Sequence, residues 1–206
     1  MEKKPTTPTG FGKHPSEKLQ QVFSQKPYQI QCPEKAEIIF LGLDANWDKN
    51  IERDKSYFEE TINYLSNGIK YWKDNGIHTP MLKDTYKGGG RRYHTQFRKL
   101  GFLPKDAEKI CFLELLSICT YGSSTTNMTM FMDMLKSPEN KKHLETIRKI
   151  FESENNVICI PKGVKRVIDR LGGGFNLRRK NVIIHTHFSG SVSDKELHNL
   201  GDKLRK

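Results

Sequence analysis

The sequence is poor in cysteine, in acidic residues and in long apolar runs, and each shortage excludes something. Its four cysteines, Cys32, Cys111, Cys119 and Cys159, include no C-x-x-C pair of the kind that zinc and iron–sulfur sites commonly use. Cys111 and Cys159 lie in apolar runs, where cysteine behaves as a small buried hydrophobe, so reduced thiols and a cytoplasmic protein are expected. No apolar stretch approaches the roughly 18 residues that span a bilayer, and the start, MEKKPTTPTG, lacks the apolar segment of a signal peptide. Neither export nor membrane anchoring is expected. Acids are outnumbered, with 24 Asp and Glu against 35 Lys and Arg in 206 residues, a formal charge of +11. Such a surface attracts a polyanion, and nucleic acid is the leading class of partner.

A chain of this length usually makes one domain with a substantial core. The first dozen residues, rich in Pro, Thr, Gly and Lys, offer too little apolar surface to order alone, so a flexible arm is expected over residues 1–15 and one domain over 16–206. Four short apolar runs are continuous rather than alternating: residues 38–41, 110–113, 157–160 and 182–184. That pattern belongs to strands covered on both faces. Between them apolar residues recur at helical spacing, as in Tyr57, Phe58, Ile62 and Leu65, in Leu144, Ile147, Ile150 and Phe151, and in Val164, Val167, Ile168 and Leu171. Gly172-Gly173-Gly174 would stop the last of these helices, and Ser193-Asp194-Lys195-Glu196 has the form of a capping box ahead of another. Strands alternating with helices predict an α/β fold, a three-layer α/β/α domain around a four-stranded parallel sheet. Ligands of such sheets bind beyond the carboxyl ends of the strands, where strand order reverses.

At those ends stand residues able to do chemistry. Asp44 follows the first apolar run, where a carboxylate could orient water or stabilise a cation, although Asp is also a common helix cap. The fourth run ends in His185-Thr186-His187-Phe188-Ser189-Gly190, with donors suited to a leaving group. A metal-dependent nuclease or phosphoesterase would instead need Asp44, Glu114 and His187 as ligands. Between Lys83 and Lys99 the chain carries six Lys or Arg, one acid, three glycines and interleaved Tyr86, Tyr93 and Phe97. Here Gly88 and Gly89 would let amides approach phosphates and Arg91 and Arg92 would neutralise them. The alternative is a solvated turn and a helix with Tyr93 and Phe97 facing the core. Arg178-Arg179-Lys180 precedes the fourth run, away from the predicted site, and reads as solvated surface.

Gly42-Leu43-Asp44-Ala45-Asn46-Trp47 resembles the water-activating motif of the uracil-DNA glycosylase superfamily, usually Gly-Gln-Asp-Pro-Tyr-His. His187-Phe188-Ser189-Gly190-Ser191 resembles its closing motif, His-Pro-Ser-Pro-Leu. Phe112-Leu113-Glu114 with Gly122 eight residues later resembles the base-reading strand, usually Leu-Leu-Asn with a glycine at that interval. Tyr57, 13 residues past Asp44, stands about where the family places the ring that stacks on the base. The resemblance implies a monomeric, cofactor-free and metal-free enzyme that binds double- or single-stranded DNA, flips a base and hydrolyses its bond to the sugar. Asp44 would face the sugar cation and the water, and His187 would donate to the base. Ser189, with Ser191 beside it, would contact the DNA backbone. No lysine occupies the motifs, so water is the expected nucleophile and an abasic site the product.

Two departures bear on the base. Glu114 replaces the asparagine that usually reads uracil; ionised, it only accepts hydrogen bonds and so matches the amine of cytosine, whereas protonated it would tolerate uracil. Asn46 replaces the tyrosine that blocks the pyrimidine 5-position and leaves room there. Together they point to a cytosine-type base, including the 5-modified cytosines of phage DNA, with uracil or mismatch repair and inactive DNA binding as alternatives. The family's leucine wedge corresponds to Ser191, leaving Phe188, Val192 or the glycine-rich segment as substitutes.

Overall fold

Continuous apolar runs become strands and helical spacings become helices over residues 10–86 and 88–205, the residues described by the computed structural model. In chain order come β1 (Phe11–Lys13), α1 (Glu17–Gln25), β2 (Tyr28–Ile30), β3 (Ile38–Gly42) and β4 (Ala45–Asn46). Helices α2 (Lys55–Ser66), α3 (Gly68–Asn75) and α4 (Arg91–Arg98) precede β5 (Ile110–Glu114) and β6 (Cys119–Gly122). Then follow α5 (Met128–Leu135), α6 (Pro138–Glu152), β7 (Val157–Pro161), α7 (Lys162–Leu171), β8 (Val182–His185) and α8 (Asp194–Leu204). Helix α7 stops at the three glycines, all of which have positive φ. The capping box at α8 is formed: Ser193 Oγ accepts from the Glu196 amide at 3.3 Å and Glu196 Oε2 from the Ser193 amide at 2.9 Å.

The main sheet has the order β2-β5-β3-β7-β8. Its last four members are parallel, but β2 runs antiparallel to β5, so the sheet is mixed and five-stranded rather than the expected four-stranded parallel one. A three-residue edge strand carries too little pattern to announce itself in sequence. Its neighbours alternate faces: Ile38 and Phe40 join α1, α2, α3, α4 and α8 in one core, whereas Ile39 and Leu41 join α5, α6 and α7 in the other. Helices therefore cover both faces, giving three layers.

A second sheet, β1-β6-β4, lies against the carboxyl edge of the first. Phe11–Lys13 pair with β6, so the arm expected over residues 1–15 ends before Phe11; residues 1–9 lie outside the described residues. Backbone closeness permits the pairing. Gly122 has φ 75°, and a Cβ there would stand 1.6 Å from the Gly10 carbonyl oxygen, a position open only to glycine. No helix among the described residues is long and apolar enough to cross a membrane. The four cysteines are free thiols, with Cys111, Cys119 and Cys159 buried.

The strand order places the site. From β3 the chain passes to β5 on one side, and from β7 to β8 on the other, so order reverses at the β3/β7 boundary. Asp44 lies just beyond the carboxyl end of β3, at that crevice.

Candidate active site

Strands β3 and β5 pair with Gly42 opposite Glu114. Residues two apart share a sheet face, so Glu114 follows Phe112, and Gly42 follows Phe40, onto the face covered by α4. A Cβ on Gly42 would lie 1.9 Å from Glu114 Oε2 and 2.7 Å from its Cδ. The Glu114 carboxyl thus fills the space a side chain at 42 would take, leaning from β5 over β3 toward Asp44. His143 of α6 donates from Nε2 to the Glu114 carbonyl at 2.8 Å and fixes the strand end from the opposite layer. Burial, then the neighbouring Asp44 charge, pushes the Glu114 carboxyl well above the usual carboxylate range, which favours the neutral acid.

Asp44 is held differently. Thr120 Oγ1 donates to Asp44 Oδ2, and Asn46 Nδ2 lies 3.4 Å from the same oxygen. Burial raises the pKa of Asp44, while hydrogen bonds from Thr120, Asn46 and Ser124 draw it back down. Asn46 Nδ2 also reaches Thr120 Oγ1 at 3.3 Å and the Gly122 carbonyl, so its amide ties β4 to β6 beneath the carboxylate. Asn46 is therefore engaged in orienting Asp44. Thr120 and Ser124 had no motif to mark them; only the pairing of Asn46 with Thr120 across the small sheet brings them to Asp44.

The two histidines after β8 part company. His185 donates from Nδ1 to the Thr186 carbonyl at 2.8 Å and packs on Phe188 at 4.7 Å between ring centroids; its buried Nε2 has no partner among the described residues. Burial pushes its pKa down to about 4, so it is a neutral packing residue. His187 is exposed, and its Nδ1 accepts from the Ser189 amide at 3.1 Å. With Nδ1 accepting and its pKa lowered by desolvation, the neutral ring carries its proton on Nε2, the atom left to donate. Phe188 is fully buried among Phe40, Tyr93 and Phe97 and does not project as a wedge. Val192 packs partly buried against the same core, whereas Ser189 and Ser191 are exposed.

The basic segment is less uniform than its sequence. Arg91 Nη1 donates to the Lys83 and Tyr86 carbonyls at 2.9 and 3.2 Å, and its Nη2 pairs with Asp84 at 2.9 Å. It braces the loop before α4. Arg92 is exposed and reaches the Gly190 carbonyl of the closing motif at 3.3 Å. Gly89 is exposed and accepts from the Tyr86 hydroxyl at 2.6 Å; Gly88 is packed so that a Cβ would meet that hydroxyl at 2.4 Å. Tyr57 is buried, with Tyr86 stacked on it at 5.0 Å and 15° and its own hydroxyl without a hydrogen-bond partner among the described residues. Arg179 bonds the Phe151 carbonyl and Glu154, whereas Arg178 and Lys180 face solvent at the amino end of β8.

Asp44, Glu114 and Asn46 are thus brought together at one crevice, with His187 on the loop beyond β8, while the interactions of the Tyr57 side chain among the described residues are with Tyr86, Thr61, Tyr71 and Glu60. Among the described residues no three His, Cys, Asp or Glu side chains converge as a metal-ligand set. Comparison with protein-family models, with curated proteins and with solved structures gives no match.

Proposed function

We propose that this chain is a monofunctional DNA glycosylase that flips a pyrimidine out of DNA and hydrolyses its N-glycosidic bond. The observation that carries the reading is the meeting of Asp44 and Glu114 beyond the carboxyl ends of β3 and β5, one carboxyl held by Thr120 and Asn46 and the other leaning over Gly42. As the sugar–base bond lengthens, positive charge grows on the sugar and negative charge on the base. Ionised Asp44 stabilises the first and takes a proton from the water that adds to the anomeric carbon. Its raised pKa brings that base nearer to working pH. His187, neutral with Nε2–H, donates to a base carbonyl as charge collects there. The excess of 35 Lys and Arg over 24 Asp and Glu supplies the attraction to DNA.

Glu114 would read the base edge, and its protonation decides what it reads. The neutral acid offers one O–H and one C=O, which pair with N3–H and O4 of uracil or with N3 and the amine of cytosine. The ionised form opposes O4 and favours the amine. The neutral acid thus accommodates both bases and the ionised form favours cytosine, and with the room that Asn46 leaves at the 5-position a 5-modified cytosine stays the expected substrate.

The test is a set of otherwise identical duplexes and single strands carrying uracil, cytosine, 5-methylcytosine, 5-hydroxymethylcytosine or its glucosylated form. Released bases are identified by mass spectrometry and abasic sites by alkaline cleavage. Base release from at least one substrate is expected, and Asp44→Asn should lower it on the order of a thousandfold while sparing DNA binding. Release of no base by wild-type protein, with DNA binding intact, would return the chain to the class of non-catalytic DNA-binding proteins.

A further inference from the structure

The ring expected to meet the base, Tyr57, has one face covered by Tyr86, and among the described residues no hydrogen bond, ring pair or charge interaction joins it to Asp44, Glu114 or His187. Another tyrosine is placed where those three groups are. Tyr93 projects from α4 onto Phe112, ring centroids 6.4 Å apart, and Phe112 shares its sheet face with Glu114 two residues on. The same ring lies 5.3 Å from the ring of His187 and 5.1 Å from that of Phe188. Tyr93 therefore spans the gap between the end of β5 and the loop after β8. Its ring is half-buried, yet among the described residues its hydroxyl has no hydrogen-bond partner. Next to it, Arg92 holds the Gly190 carbonyl of the closing loop, so α4 engages that loop through two consecutive side chains.

Resting on the glycosylase reading above, we propose that Tyr93 is a specificity-determining residue whose hydroxyl hydrogen-bonds the flipped pyrimidine between Glu114 and His187. A half-buried phenol whose hydroxyl is left to solvent is available to a polar edge brought into that space. Burial, then the nearby Glu114, keeps the phenol protonated, so it serves as a donor and acceptor rather than as a base. A hydroxyl of this kind distinguishes bases, because a base that presents the wrong group at that point leaves it unpaired.

The experiment compares wild type, Tyr93→Phe and Tyr57→Phe on duplexes carrying a single uracil, cytosine or 5-hydroxymethylcytosine. Tyr93→Phe should lower release of the preferred base about tenfold and change the ratio of rates among the three bases. Tyr57→Phe should leave rates within about twofold, since its hydroxyl has no hydrogen-bond partner to lose among the described residues. The ratio does not depend on how much of a variant is folded. Active wild type with an unchanged ratio in Tyr93→Phe, whether or not the absolute rate falls, overturns the assignment of Tyr93 and leaves the glycosylase reading standing. Wild type that releases no base from these duplexes or from those carrying 5-methylcytosine or glucosylated 5-hydroxymethylcytosine overturns the assignment together with that reading.

Discussion

The two faces of the main sheet differ in kind. One packs Phe40, Trp47, Tyr57, Tyr64, Trp72, Phe97 and Phe112 against each other, with Tyr64 donating to Gln29 at 2.8 Å and His78 bonded to His94 at 2.9 Å inside it. The other is chiefly aliphatic, built from Ile39, Leu41, Ile147, Ile158, Ile160 and Val164. Aliphatic side chains pack without polar obligations, whereas Tyr, Trp and His bring atoms that need partners once buried. Trp47, Tyr57, Gln96 and His185 hold the four buried side-chain atoms without a partner among the described residues, and Trp47 and Tyr57 belong to the aromatic core. Glu114 and Tyr93 open from that same face. The aliphatic face supports the sheet, and the aromatic face is the one from which the polar groups of the candidate site open.

The largest expected contrast comes from one small change on each face. Gly42→Ala places a methyl 1.9 Å from Glu114 Oε2 and must drive that carboxyl off β3. Base release should fall about a hundredfold, the cost of displacing a reacting or reading group by an ångström. Ile158→Val, at a position 1% exposed on the aliphatic face, should cost about 0.5–1.5 kcal/mol of stability and leave the rate per folded molecule unchanged. Thermal unfolding and single-turnover kinetics on both variants separate the outcomes. An active Gly42→Ala variant would mean that the position of Glu114 does not matter.

A smaller effect tests the hydrogen bonds that hold Asp44. Burial raises its pKa and the donors Thr120, Asn46 and Ser124 oppose that rise, so Thr120→Val removes an opposing influence and the pKa climbs further. If base release uses ionised Asp44, as proposed above, the acid limb of the pH–rate profile should move to higher pH, with a loss of about threefold to tenfold near neutrality. Thr120→Ser, which keeps the hydroxyl, should restore the profile. An acid limb that stays in place in Thr120→Val would make Thr120 a packing residue only.

Much of this arrangement could be read from sequence, and the remainder was hidden for physical reasons. Continuous runs such as Ile38–Leu41 announce buried parallel strands, and the Ser193/Glu196 capping box announces α8. Strands of two to four residues, such as β4, β1 and β6, announce nothing, because their pairing partners lie 74 or more residues away, as between Asn46 and Thr120. Asp44 and Glu114 were visible as strand-end carboxyls; the lean of Glu114 over Gly42 was not, since it depends on cross-strand register. Tyr93 shares helical spacing with Phe97 and reads as core, and only the packing of α4 against β5 separates the two. Arg91 and Arg92 look equivalent in sequence, yet a helix turns successive residues by about 100°. One therefore faces its own loop and the other the closing loop.

That last difference supplies the smallest effect and a check on where DNA lies. Arg92 is exposed and its one hydrogen bond among the described residues is the 3.3 Å contact with the Gly190 carbonyl, which a phosphate could replace. Arg92→Ala should weaken binding to any sequence by a similar factor and reduce the slope of log affinity against log salt by about one, the signature of one lost phosphate contact. Arg91 already makes three hydrogen bonds within its own loop, so Arg91→Ala should act chiefly by loosening residues 83–86, seen as faster amide exchange there with a salt slope close to wild type. Arg178→Ala with Lys180→Ala, at the amino end of β8, should change neither. Fluorescence anisotropy on a labelled duplex across a salt series distinguishes the three. If the double variant at the amino end alone flattened the slope, DNA would lie at the opposite end of the sheet from Asp44, and the aromatic face would have to be read as core rather than as the wall of a substrate site.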